Sequence, residues 1–206
     1  QLGLAFHNHE SSHGHFPRGW TLTAGALRDR SYVPELLLFL EQDNLHRRYN
    51  LTAAWDDVRN EAAVAVPLPM LHCPSAPSRS GQPVNDYPVS DFISNDAGNA
   101  LGVPPFSRDG QGVGFFYKIF TFPPPDGQTS LAPRVAEISD GLSNTWLLFE
   151  DAGRPQYWKF GRYQGTNGQE GVFTSRHEHW ADPRNRITIQ AWCGTPVNCN
   201  NGNEIY

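Results

Sequence analysis

His9-Glu10-Ser11-Ser12-His13 is the stretch whose residue types and spacing could most directly do chemistry. Histidines four apart on a helix stand one turn apart, so both imidazoles can reach one Zn²⁺. The glutamate after the first can then activate a metal-bound water. With Glu10 as general base and Glu35 or Glu41 as third ligand, the set reads as a zinc-dependent hydrolase. Three features oppose it. Gly14 follows His13 at once and ends the helix where such a site needs support. Phe16 stands where the extended metzincin pattern has glycine. His7 and His15 make this a histidine-rich helix end, where a chance match is commoner and where histidines complement the helix dipole.

Other constellations are weaker. His177-Glu178-His179 in a strand would put both rings on one face, with Asp182 as a further ligand, although a solvated edge explains the trio as well. His72 could activate the thiol of Cys73, but adjacent strand residues point to opposite faces. Asp140-Gly141-Leu142-Ser143-Asn144 has neither the glycine of a nucleophile elbow nor the spacing of a calcium-binding EF-hand, and reads as a turn. No phosphate-binding glycine loop is present. Trp20, Trp158 and Trp180 could serve an extracellular glycan-binding module, with burial in a sheet as the plainer reading. Among three cysteines, Cys193 and Cys199 frame a short loop that a disulfide could close. Cys73 paired with either one, or three free thiols, are the alternatives. Asn50-Leu51-Thr52 fits the glycosylation tripeptide and hints at a surface loop.

The elements that must position these residues follow from the apolar pattern. The 206 residues suit a single domain, 1–206, with ample core. A net charge of −5, with the basic residues scattered, argues against nucleic acid as a partner. Leu2, Phe6 and His9 share a helix face that Gly14 and Pro17 terminate. Pro34 suits a first helical turn, and Leu36, Leu37 and Leu40 carry a helix predicted to run to about Tyr49. A shorter helix is predicted from Asp56 to Val64. Beyond Pro67, prolines and glycines punctuate a loop-rich stretch, with strands predicted over 114–121, 145–150 and 186–192. Helices first and strands after indicate an α+β fold.

Five stretches, in order, resemble one family: Gln1–Gly19 with its Phe-Pro turn, Leu36–Asn50 around Leu-Glu-Gln, Leu71–Arg79 with Cys-Pro-Ser, Ile138–Pro155 with Asp-Gly-x-Ser-Asn-Thr, and Val197–Tyr206 with Asn-Cys and Asn-Glu-Ile-Tyr. They are similar to the secreted, prepilin-like domain of unknown function 1559, abundant in planctomycete bacteria and related to the major pseudopilins of type II secretion. The resemblance implies a pilin-like fold: an N-terminal helix packed on an antiparallel β-sheet. It implies a hydrophobic helix before Gln1, a further strand after Tyr206, and no enzymatic activity. A structural role in a filament built by self-assembly follows, with a membrane anchor through the preceding segment and an extracytoplasmic location, periplasmic or at the cell surface. Pseudopilin-like domains sometimes hold calcium in a C-terminal loop, for which Asp140 and Asp182 are the oxygen-bearing candidates. His9 departs from the family pattern, which has an aromatic residue there, so the apparent zinc motif would not be the family's chemistry.

Overall fold

The first helix, α1 (Leu2–His13), stops at Gly14, whose φ of 74° lies in the left-handed region and whose N–H closes on the carbonyl of Glu10. The computed structural model describes residues 1–21, 30–76, 79, 81–93, 112–113, 132–151, 153, 155–159, 162–166 and 178–189. One stripe of α1, Ala5, Phe6 and His9, is buried. The Phe6 ring lies 5.3 Å from that of Tyr32, which is itself fully buried.

The helix predicted from Pro34 to Tyr49 is broken into three pieces. The helix α2 (Val33–Leu36) leads into a 3₁₀ turn (Leu37–Leu40), and α3 (Asp43–Arg48) follows. The break is at Glu41, with φ 60°, where the Gln42 N–H bonds the carbonyl of Leu37 at 2.9 Å. The physical reason is phase. Continuing past Leu37 and Leu40 at helical spacing would drive Asn44 and Arg47 inward. The left-handed residue rephases the chain, so that Leu45 and Tyr49 are buried instead.

The helix predicted from Asp56 to Val64 is likewise shorter. Turns occupy its first half, and only α4 (Glu61–Val64) is helical. Asp57 binds the N–H and guanidinium of Arg59, a local bond that competes with helix. The buried Asn60 joins the loop before it. Its Oδ1 accepts from the Asn50 N–H at 2.7 Å, and its Nδ2 donates to the carbonyls of Asn50 and Ala54.

The described strands form three small sheets. Strands β1 (Trp20–Thr21) and β2 (Arg30–Ser31) pair antiparallel, as do β5 (Gln156–Lys159) and β6 (Arg162–Thr166). Strand β3 (Val89–Ile93) lies between β4 (Gly112–Val113) and β7 (Arg186–Ile189), antiparallel to β4 but parallel to β7. A parallel pair is not part of the antiparallel sheet that was expected. The predicted strand from Arg186 is present as β7, and the one over 114–121 lies outside the described residues.

The predicted strand over Thr145–Glu150 is not one. The Phe149 N–H does bond the carbonyl of Pro88 at 3.0 Å, and the Asp151 N–H that of Asp86 at 2.8 Å, in antiparallel sense. No reciprocal bonds form. Pro88 has no N–H to give, and the Asp86 N–H is spent on the Leu71 carbonyl. Trp146, in this unpaired run, is 74% exposed.

Asp86 holds these pieces together. Its fully buried carboxylate accepts from the Cys73 N–H at 2.7 Å and from both terminal nitrogens of Arg79, one at 2.7 Å. The Arg79 side chain is itself buried. Next to it, the Asn85 N–H bonds the Glu178 carbonyl, and Asn185 donates to the Asn85 carbonyl at 3.0 Å. One short segment thus ties the Cys-Pro-Ser turn, the 149–151 run and the 178–185 loop.

Removing one member of a buried ion pair strands the other, at a cost of about 3–5 kcal/mol. Asp86→Ala is expected to destabilise the fold by that amount in urea unfolding. The double variant Arg79→Met/Asp86→Leu should cost clearly less than the single change. A loss below about 1 kcal/mol for Asp86→Ala would contradict this account.

Candidate functional site

The helix α1 ends in a cluster of imidazoles, and its geometry follows from how the helix is capped. Gly14 turns the chain back sharply, which brings His15 alongside the last helical turn. The rings of His9 and His13 lie 4.3 Å apart and are inclined by only 23°. His15 stands 5.4 Å from His9 and 6.0 Å from His13. Phe39, from the 3₁₀ turn, sets its ring edge-on to His9 and His13.

Each of the three rings bonds a backbone carbonyl through Nδ1: His9 to His15 at 2.9 Å, His13 to His9 at 3.1 Å and His15 to Phe16 at 2.8 Å. A carbonyl only accepts, so the proton of each neutral ring sits on Nδ1. His9 is buried, and burial lowers its pKa from the ordinary histidine value, against the opposing pull of its hydrogen bond to His15.

The acidic partners expected for a zinc site are used otherwise. Glu35 accepts from the Arg18 N–H at 3.0 Å, and its other oxygen faces the guanidinium groups of Arg18 at 3.4 Å and Arg30 at 3.6 Å. These contacts fasten the segment after α1 to α2. Glu41 is exposed at the left-handed break. Among the described residues, no group of three His, Cys, Asp or Glu side chains stands in an arrangement that could hold a metal ion.

The remaining candidates are dispersed. Asp140 closes its own turn, its Oδ1 accepting from Thr145 and its carbonyl from Asn144. Asp182 is buried and takes both the N–H and the guanidinium fork of Arg184. The structure assigns the two aspartates to separate local turns. Trp180 is fully buried and donates from Nε1 to the Val66 carbonyl at 2.9 Å, so it is a core residue and offers no glycan surface. The side chains of Trp20 and Trp158 lie outside what is described, as do Cys193 and Cys199. Cys73 is a buried free thiol. His177 is outside the described residues, whereas His179 packs against Trp55, with ring centroids 4.8 Å apart.

Sequence reasoning missed Asn85, Asp86 and Asn185, the polar residues that organise the centre. Arg79, inside the Cys-Pro-Ser stretch, was the available signal, because a buried arginine requires an acid. It also missed His15 as a neighbour of His9, because only the turn at Gly14 brings them together.

Among the described residues, an N-terminal helix, short strands and loops are gathered on a buried polar centre around Asp86. The chain belongs to the family of proteins of unknown function DUF1559, whose family model matches residues 1–205. No curated protein and no solved structure matches it.

His179 offers a pH test. Its Nδ1 accepts from the Ala181 N–H at 3.1 Å, and burial, opposed by Asp182 and a backbone hydrogen bond to Val64, pushes its pKa down to about 4. The unfolded chain, with a histidine pKa near 6.5, therefore binds the proton first on acidification. Stability from this group is complete above about pH 6.5 and is lost as the pH falls towards 4, by about 1.4 kcal/mol per pH unit at most. Unfolding free energies of wild type and His179→Gln, measured from pH 7.5 to 4, should converge on acidification. Parallel curves would show that His179 is not the group responsible.

Proposed function

We propose that this chain is the globular head of a pseudopilin-like filament subunit and has no enzymatic activity. The observation that carries the reading is the two-sidedness of α1. Its Ala5–Phe6–His9 stripe is committed to the head, while the opposite side leaves Gly3 with open space around it and Leu4 66% exposed. A helix docked by one stripe and offering an apolar residue on the other can pack against a second helix without disturbing the head. Such contacts between unlike surfaces propagate as open filaments rather than closing as dimers.

The use of the most chemical-looking side chains, Glu35, Asp86 and Asp182, in holding the fold supports the reading. In this reading the subunit is anchored in the inner membrane through the segment preceding Gln1, and the head lies outside the cytoplasm.

The test uses the full gene product. Its coding sequence upstream of Gln1 should contain a basic leader and about 20 apolar residues. The product should sediment with membranes and form filaments visible by electron microscopy. Leu4→Glu should reduce assembly at least tenfold while changing head stability by no more than about 0.5 kcal/mol. A gene without that apolar segment, or filaments indifferent to Leu4→Glu, would defeat the proposal.

A further inference from the structure

We propose that His9, His13 and His15 form an acid-released clasp: while neutral they hold the returning chain against the end of α1, and when protonated they let the last turn of the helix open. Four observations carry it. First, three titratable rings share one small volume. The His9 and His13 rings lie 4.3 Å apart and nearly parallel, and His15 stands 5.4 Å from His9 and 6.0 Å from His13. Neutral imidazoles pack well at such separations, whereas imidazolium charges placed there repel one another.

Second, the hydrogen bonds fix where a further proton must go. Each ring already holds its proton on Nδ1, against a backbone carbonyl. Acid can therefore add a proton only at Nε2, and every such addition creates a cation. The bond from His9 to the His15 carbonyl, at 2.9 Å, joins the helix to the chain beyond Gly14. That tie lasts only while the His9 ring stays buried.

Third, the surroundings of His9 disfavour its charge. The ring is buried, and the side chain set against it from the 3₁₀ turn is the apolar Phe39. His13 and His15 oppose its charging through space, and Glu35, from α2, favours it. Glu35 already faces the guanidinium groups of Arg18 and Arg30. Burial is the largest influence and holds the His9 pKa below the ordinary histidine value of about 6.5. A ring released to water regains that ordinary value, so the open form binds the proton first as the pH falls. The clasp is complete above about pH 6.5 and is lost progressively below it.

Fourth, the segment carrying the rings can open without the core. Phe6 before it and Phe16 after it are both buried, and His9 is the only buried residue between them. Releasing His9 gives up the last turn of α1, with the bond from the Gly14 N–H to the Glu10 carbonyl, and leaves both phenylalanine anchors in place.

The experiment follows hydrogen exchange of the Gly14 amide by NMR from pH 7.5 to 5, corrected for intrinsic exchange, together with the titration of the histidine rings. In wild type, Gly14 protection should fall at least about fivefold and level off where the His9 ring itself titrates, below about pH 6.5. His9→Phe keeps an aromatic ring against Phe39 and removes the buried titrating group, so its Gly14 protection should stay within about twofold across the range. His179→Gln should show the same Gly14 loss as wild type, which separates the clasp from the acid response of His179. Protection that does not change with pH, a loss that persists in His9→Phe, or one that vanishes in His179→Gln would overturn the proposal. So would a His9 ring that titrates at or above about pH 6.5, a result read on wild type alone and independent of how the variants fold.

Discussion

A single buried carboxylate organises this molecule. Asp86 has no access to water, and a charge in that position is tolerable only if its oxygens are paired and hydrogen-bonded. Arg79 supplies the countercharge and the Cys73 N–H a further donor. The demand reaches outward through the backbone: the N–H of Asp86 fixes Leu71, its carbonyl takes the Asp151 N–H, and Asn85 takes up the 178–185 loop. Segments with little regular structure of their own are thereby given fixed positions. An apolar residue at 86 could fill the same space, but it would not specify which turn, run and loop must meet there.

The apolar core depends on that arrangement and adds to it. Trp180 sits fully buried because the loop carrying it is held at both ends. Its N–H bonds the Pro83 carbonyl, its carbonyl accepts from Ser31 at 2.6 Å, and its indole N–H bonds Val66. Tyr32 is buried in the same layer, its hydroxyl donating to the Tyr87 carbonyl at 2.6 Å, and burial raises its pKa. Against this layer α1 lays down Ala5, Phe6 and His9. The histidine-rich helix end therefore rests on the apolar core, with His13 exposed and His15 half-buried.

Much of the helical half was legible from sequence. The stop at Gly14, the buried stripe of α1 and the Pro34 helix start all follow from local rules of capping and periodicity, which tertiary contacts seldom override when they agree with one another. The break at Glu41 was not legible, because Leu36, Leu37 and Leu40 fit a continuous helix. The mismatch shows only when the polar residues 43, 44 and 47 are set against the core. The strand predicted at 145–150 failed for a comparable reason. Its residues favour a strand, but its would-be partner contains Pro88 and an N–H already spent elsewhere.

The sequence by itself determined the family and the presence of paired histidines one turn apart, because each of these rests on residues near one another in the chain, whereas the strands β1 and β2 fall between α1 and α2 and break the expected order of helices before strands. Only the tertiary structure decided what those residues do. Glu35 faces arginines from two other segments, Trp180 enters the core, Asp86 finds Arg79, and His15 comes round beside His9. The physical reason is that a side chain's role is set by which groups share its volume and exclude its water. For these residues the neighbours are chosen by chain reversals and long-range hydrogen bonds, which no local pattern records.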